Sequence, residues 1–135
     1  MLKIDFITSI SDKISAPLGR LLICLIFLLS GLNKISNYSN TSGWMESMGV
    51  TSSILPLVII LEILAAIAII VGWKTKIAAF LLAGFCIISG FIFHSDFNNQ
   101  IEMILFMKNI AIAGGFLILI ANGPGNFSLD NKDKF

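Results

Sequence analysis

Four long apolar runs limit this chain to a structure that spans a lipid bilayer. A helix needs roughly 20 mostly apolar residues to cross the hydrocarbon core, and four such segments occur, at about 17–36, 54–73, 76–94 and 101–121. The runs are continuous and lack the alternation typical of a membrane β-barrel. Only 13% of the residues are charged, against about 25% in soluble domains. The sequence therefore predicts an all-α membrane protein, a bundle of four transmembrane helices.

Basic residues are distributed unevenly around these spans. The connections at 37–53 and 95–100 carry only acidic charges, Glu46 and Asp96. The positive-inside rule therefore predicts that both termini and the second connection face the cytoplasm. The basic residues behind this prediction are Lys3, Lys13, Arg20, Lys74, Lys76, Lys132 and Lys134.

The terminal segments differ from the spans in composition. Residues 1–16 place apolar side chains at helical spacing, which predicts a short amphipathic helix on the inner membrane surface. No small-residue cleavage site follows the first apolar run, so we expect no removal of a signal peptide. Pro17 would open the first span as its first helical residue. The polar segment 122–135, interrupted by Gly-Pro-Gly at 123–125, predicts an irregular cytoplasmic tail.

Charged residues inside the spans are the candidates for function, since each needs a partner or a water-filled cavity. Glu62 and Lys108 both lie roughly 10–12 Å below the outer boundary, at about 1.5 Å per residue. Their equal depth and opposite charge predict an ion pair between them. Lys34 and His94 end their helices in the same half of the bundle. We therefore predict a polar pocket formed by Lys34, Glu62, His94 and Lys108.

Four further polar residues are weaker candidates. Asn33, Glu102 and Asn109 are expected near the pocket, whereas Arg20 stands alone at the inner end of the first helix. There it is expected to anchor the topology by reaching lipid phosphates. Two alternatives remain open. The Glu62–Lys108 pair could have only a structural role, and Lys34 and His94 could be ordinary interfacial residues.

The sequence favours no intrinsic cofactor. A single histidine and two unclustered cysteines argue against a zinc site, and no second histidine is available for haem between two helices. Cys24 and Cys86 are expected to pack as small apolar side chains. No nucleotide-binding loop or nucleophile motif is present, and the net charge of +1 gives no footprint for nucleic acid.

Three segments carry a family resemblance when they are taken in order. They are GRLLICLIFLLSGLNKI at 19–35, LEILAAIAIIVGWKTKIAA at 61–79 and GGFLILIANGPGNFSLD at 114–130. Together with His94 and Lys108, they resemble the DoxX family of small bacterial and archaeal membrane proteins. The resemblance runs from about Leu18 to Asp130 and departs from the family at Asn126, where a basic residue is more usual.

The resemblance implies a four-helix protein of the bacterial or archaeal cytoplasmic membrane. Some members of the family are linked to thiosulfate:quinone oxidoreductase and others to thiol-stress complexes, which implies a membrane subunit of an oxidoreductase rather than a self-sufficient enzyme. The pocket would then receive a quinone headgroup or a small sulfur oxyanion. A redox partner subunit or a homo-oligomer are the protein partners to consider beside the lipid bilayer.

Two other functions stay open at this point. A compact four-helix protein with a membrane carboxylate is also compatible with a small proton-coupled transporter, although no internal repeat or broken helix supports transport. The third hypothesis is a membrane scaffold or assembly factor without catalysis, in which the ion pair has only a structural role.

Overall fold

The computed structural model describes residues 2–134, without the side chains of residues 133 and 134. All regular secondary structure in this range is helical. Residues 1 and 135, the outermost positions of the two predicted terminal segments, lie outside this description. Five α-helices follow one another along the chain: α1 (Leu2–Ser36), α2 (Tyr38–Ser47), α3 (Leu55–Val71), α4 (Thr75–Phe93) and α5 (Gln100–Asn122). Short 3₁₀ helices occupy Ser52–Ile54 and Leu129–Lys134.

Four of these helices are long and apolar enough to span a membrane, which confirms the predicted four-helix bundle. The ends of α3, α4 and α5 lie within two residues of the boundaries predicted from the apolar runs. Pro56 stands in the first turn of α3, where its missing N–H costs no hydrogen bond. Gly72 ends α3 in the left-handed conformation, at φ +73°, which only glycine adopts without strain.

Helix α1 is longer than the first apolar run. It continues without interruption from Leu2 through Pro17 to Ser36, so the expectation that Pro17 opens the span is wrong. The ring of Pro17 removes one backbone donor, but the helix continues on both sides of it. At about 1.5 Å per residue, 35 residues reach roughly 50 Å. This length exceeds a hydrocarbon core of about 30 Å, and residues 2–15 are exposed along it.

Helix α2 covers the end of the bundle that the positive-inside rule predicts to face outside. We call this end the outer end and the opposite end the inner end. Its sequence is polar, and Met45 is its buried side chain, packed in a small cluster with Leu55 and Ile59 of α3. Trp44 stacks on Phe93 of α4, with ring centroids 4.6 Å apart. The long outer connection is thus a folded cap, which the apolar pattern gave no reason to expect.

The four spans pack in the order α1–α3–α4–α5. The core consists of buried side chains from all four helices, among them Phe27, Ile69, Leu82 and Phe116. Packing between α1 and α5 is sparse. It includes the Phe27 and Phe116 rings, 5.6 Å apart, and the contact of Ile23 with Gly115, where a Cβ would lie 2.8 Å from the isoleucine Cδ1. We refer to this side of the bundle as the α1–α5 seam.

Candidate functional site: a polar cavity in the outer half of the bundle

A cavity of about 310 Å³ lies between the spans in their outer half. Its wall is largely apolar and aromatic, with Phe27, Trp44, Phe85 and Phe93 among the lining residues. All four residues of the predicted pocket line it: Lys34 from α1, Glu62 from α3, His94 at the end of α4 and Lys108 from α5. The side chains that were singled out for charge and depth therefore share one cavity.

Glu62 is the buried acid of this cavity, with 1% of its side chain exposed. Its ionic partner is Lys34, whose Nζ lies 2.8 Å from Glu62 Oε1. The same Nζ donates a hydrogen bond to Ser30 Oγ at 2.6 Å. The Lys34–Glu62 contact lacks hydrogen-bond alignment, and Glu62 Oε2 has no hydrogen-bond partner at all within the described chain. Glu62 is thus paired in charge but unsatisfied in hydrogen bonding.

The predicted Glu62–Lys108 ion pair is therefore wrong, and helix packing explains why. Helix α3 packs closely against α1 and not against α5. The two helices approach closely at Gly31, where a Cβ would lie 2.6 Å from Ile63 Cγ1. Small residues permit such close contact between membrane helices. The approach brings Lys34, one turn beyond Gly31, to the face that Glu62 presents.

Lys108 is the second lysine of the cavity. Among the residues that the structure describes, no carboxylate lies within ion-pair distance of its side chain. Its side chain lines the cavity but is also exposed on the surface of the isolated chain. Asn109 lines the cavity beside it and packs against Gly90 of α4. Lys108 and Asn109 together place hydrogen-bond donors on the α5 side, across from Glu62.

His94 closes the outer end of the cavity. Its Nδ1 lies 2.9 Å from Glu102 Oε2, so the pair is a hydrogen bond when Nδ1 carries the proton. Asn99 caps the start of α5 by accepting hydrogen bonds from the backbone N–H groups of Ile101 and Glu102. This cap fixes the first turn of α5 and with it the position of Glu102.

Asn33 lies outside the cavity. It lines a neighbouring surface groove of about 450 Å³ on the outer face, where its side-chain oxygen accepts a hydrogen bond from Asn37. The groove and the cavity share three lining residues, Lys34, Thr41 and Trp44. Sequence reasoning missed Thr41 and Trp44 as site residues because α2 carries no apolar periodicity that would have placed it over the bundle.

Arg20 belongs to a different part of the molecule, and its expected role as a lipid anchor is wrong. Only 2% of Arg20 is exposed. Its Nη1 donates to the carbonyls of Ile69 and Ile70 at 3.3 and 2.9 Å. Its Nη2 donates to those of Asn126 and Phe127, both at 2.8 Å. Arg20 therefore ties the end of α3 to the C-terminal segment.

The C-terminal segment has no regular secondary structure at residues 123–128, and it packs against the inner end of the bundle. Gly125 packs against Ala16 and Gly72 against Ser128, so closely that a Cβ would lie 2.5 and 2.2 Å from those Cβ atoms. The N–H of Asp130 donates to the Gly72 carbonyl at 2.7 Å. The Gly-Pro-Gly turn therefore starts a structured strap, residues 123–131.

Asp130 caps the first turn of α4 from this strap. Its two carboxylate oxygens accept hydrogen bonds from the backbone N–H groups of Lys74 and Thr75, at 2.8 and 2.9 Å. Desolvation acts to raise the pKa of Asp130, but the bonds from Thr75 and Lys74 and the nearby Arg20 charge outweigh it, so the pKa lies below its ordinary value. The Thr75 hydroxyl also lies near the carboxylate, although without a well-aligned hydrogen bond.

The chain matches a protein family and several individual proteins. The DoxX family matches residues 16–95. Inner membrane protein YqjF of Escherichia coli is 40% identical over 119 residues, covering 88% of this chain and 92% of YqjF. Inner membrane protein YphA of the same organism is 33% identical over 122 residues, covering 85% of this chain and 87% of YphA.

A more distant relative comes from a eukaryote. The Surfeit locus protein 4 homolog of Schizosaccharomyces pombe is 33% identical over 85 residues, 58% of this chain but 28% of that protein. No solved structure matches the chain. The bacterial relatives, which are matched along nearly their whole length, are thus the appropriate comparison for this four-helix domain.

Proposed function

The chain belongs to the DoxX family, and from that premise we propose that it is the membrane subunit of a redox system whose outer cavity holds the headgroup of a quinone. It is a multi-pass protein of the cytoplasmic membrane, as its bacterial relatives and its four membrane-length helices indicate. The quinone would bind and dissociate as a substrate, and it would not be a permanently bound cofactor.

The unsatisfied carboxylate of Glu62 is the observation that carries the proposal. A buried polar atom without a hydrogen bond costs about 1–3 kcal/mol, and more when it is charged. Glu62 Oε2 is such an atom, and Glu62 lines a cavity. A ligand that presents an O–H group to Oε2 would remove this cost, and a quinol hydroxyl has the required chemistry.

The opposite wall suits the second oxygen of the same ring. Lys108 and Asn109 supply N–H donors on the α5 side, and a quinone carbonyl is an acceptor. Apolar and aromatic side chains form most of the remaining wall, as is usual for cavities that bind a planar ring. A volume of about 310 Å³ accommodates a headgroup but not a long isoprenoid tail.

The tail has a route to the lipid at the α1–α5 seam. Packing along this seam is sparse. Residues on both of its sides line the cavity, including Ile26 of α1 and Lys108 of α5, and both are exposed on the surface of the isolated chain. A lipid-soluble molecule would enter sideways from the bilayer with its headgroup first. This access distinguishes a quinone from a purely water-soluble substrate.

The reaction that this geometry serves is quinone reduction. Quinone takes up two electrons and two protons to become quinol. Glu62 and His94 would pass protons to the ring oxygens, and Lys108 would stabilise negative charge on an oxygen before its protonation. The electrons would come from a reduced partner subunit that oxidises a sulfur compound or a thiol, as the resemblance to family members linked to thiosulfate:quinone oxidoreductase implies.

The proposal is tested by purifying the protein in mild detergent and analysing co-eluting lipids by native mass spectrometry. Wild type is expected to retain a quinone, and Glu62→Gln and Lys108→Ala are expected to lose most of it. Lys76→Ala, which removes an exposed cation at the opposite end of the bundle, is the matched control and should retain it. Absence of quinone from the wild type, even after added ubiquinone, would refute the proposal.

A scaffold without catalysis is the second candidate, and one observation favours it. Lys34 already neutralises Glu62 inside the bundle, as a purely structural pair would. Replacing both by methionine separates the two functions, since apolar pairs often substitute for buried ion pairs without loss of stability. A folded double variant that retains its partner proteins and its cellular activity would favour the scaffold. One that retains partners but loses activity would favour the quinone site.

A further inference from the structure

The cavity and the outer surface groove are separated by a thin wall. Lys34, Thr41 and Trp44 line both spaces. The groove is otherwise polar, with Asn33, Asn37 and Asn40 on its rim, and it lies on the face predicted to be outside the cell. Water in the groove is therefore one side chain away from the cavity.

Lys34 forms a polar connection through this wall. Its side chain is 22% exposed, and its Nζ contacts both Ser30 Oγ and Glu62 Oε1, at 2.6 and 2.8 Å. The carboxylate of Glu62 thus sits one ionic contact away from a partly hydrated ammonium group. Protons can move along such a chain when water molecules fill the remaining gaps.

Apolar side chains lie on the inner side of Glu62. On the Glu62 face of α3, Ala66 and Ile69 follow toward the inner end, and both are fully buried. Leu82 of α4 and Phe116 of α5 are fully buried in the same core cluster. These side chains offer no hydrogen-bonding group, so a water chain from Glu62 toward the inner face would have no polar wall to follow. A second space of about 380 Å³ lies at the inner end of the α1–α5 seam, with Arg20, Ile23 and Gly115 among its lining residues, and it shares no lining residue with the cavity.

We propose that Glu62 exchanges protons and water with the outer aqueous phase, through the wall of Lys34, Thr41 and Trp44, and is closed to the inner phase. Besides Lys34 on α1, the titratable groups that share the cavity are Cys86 and His94 on α4 and Lys108 on α5, and none of them lies toward the inner face. The consequence for catalysis rests on the proposed quinone site: its protons would be drawn from outside the cell.

The two native cysteines provide a test without any substitution. Cys86 lines the cavity, whereas Cys24 is fully buried in the core and lines neither the cavity nor the groove. Both thiols are enclosed by protein, so they differ chiefly in whether they face the cavity. Silver ion, supplied as the nitrate in chloride-free buffer, is a small hydrophilic thiol reagent that does not cross the lipid.

Right-side-out and inverted membrane vesicles are treated with silver nitrate, denatured and labelled with a maleimide, and each cysteine is quantified by peptide mass spectrometry. In right-side-out vesicles we expect loss of maleimide labelling at Cys86 and full labelling at Cys24. In inverted vesicles both should stay fully labelled. Protection of Cys86 only in inverted vesicles, or in neither preparation, would overturn the proposal.

One variant controls for slow diffusion through the wall. Trp44→Ala removes the largest side chain of the wall and should speed the silver reaction at Cys86 from outside, with no change at Cys24. An unchanged rate would place the route elsewhere and contradict the proposed path. Since silver reacts without any quinone, a failure to bind quinone leaves this result intact, and the two proposals can fail separately.

Discussion

Lys34 and Lys108 are two cations of one cavity that differ in their surroundings. Lys34 contacts the buried carboxylate at 2.8 Å, whereas Lys108 has exposed surface and no ion pair among the described residues. Depth along the helices could be predicted from sequence, and both lysines line the same cavity as Glu62. Which lysine pairs with it depends on helix neighbours, which the apolar runs do not encode.

Substitution of the two lysines should separate their roles. Lys34→Met leaves Glu62 buried without a counter-charge and should destabilise the fold by about 3 kcal/mol. Lys108→Met removes an exposed charge and should cost less than about 1 kcal/mol. Thermal unfolding in mild detergent measures both. Equal losses would contradict the different roles assigned to the two lysines, and a larger loss for Lys108→Met would indicate that Glu62 pairs with Lys108 instead.

Arg20 has a different role in the structure from the one expected from the sequence. A lone arginine at a helix end favours an anchor in the lipid interface, yet the structure surrounds it with four backbone carbonyls. Its partners include Asn126 and Phe127, more than 100 positions away in sequence. Contacts over that separation leave no local pattern in the sequence, and the segment was expected to be an irregular tail.

Arg20→Lys keeps the charge but loses the two separate donor nitrogens that reach two pairs of carbonyls. Each hydrogen bond from a charged group contributes about 1.5–3 kcal/mol, so we expect a loss of about 3 kcal/mol and faster proteolysis of the strap. The exposed Lys13→Ala is the matched control and should change neither. Unchanged protection of residues 123–131 in Arg20→Lys would contradict the role assigned to this side chain.

At the scale of elements, the apolar runs located three spans to within two residues. The pattern failed where an element is not defined by apolar side chains. Helix α2 has one buried residue, Met45, and its packing over the bundle depends on a stacked pair of rings from different helices. Helix α1 extends through Pro17, a residue that a local propensity argument assigns to a helix start.

The junction of the strap with α4 should depend on pH. The pKa of Asp130 lies below its ordinary value, so the stabilisation is fully present above the unfolded pKa of about 3.9. It is lost as pH falls through the lowered folded value. Hydrogen exchange at the Lys74 and Thr75 amides is therefore expected to gain an acid-dependent opening below about pH 4.

Asp130→Asn is the control for this pH dependence. An amide offers one acceptor oxygen in place of two, so the variant should lose about 1 kcal/mol of capping stability and most of the pH dependence. An acid-dependent opening of the same size in Asp130→Asn would assign the effect to another group.

At the scale of the whole molecule, the fold divides into two ends with different chemistry. The inner end is closed by the Arg20 clamp and the strap, while the outer end carries a cavity with an incompletely satisfied carboxylate. Positive charges outside the spans concentrate at the inner end, which predicts its cytoplasmic location. A reporter fused after Phe135 should be active in the cytoplasm, and one inserted at Gly43 of α2 should be active outside. The reverse pattern would invert the direction of proton access.

Photo-crosslinking tests directly whether the outer cavity binds a quinone. The probe is a quinone that carries a diazirine on its ring, and the adducts are located by peptide mapping. If the outer cavity is the quinone site, adducts should fall on cavity-lining residues of α1 and α5, such as Phe27 and Asn109, and be suppressed by excess ubiquinone and by Glu62→Gln. Adducts confined to lipid-facing side chains such as Leu117 and Ile118, unaffected by competitor, would contradict the claim.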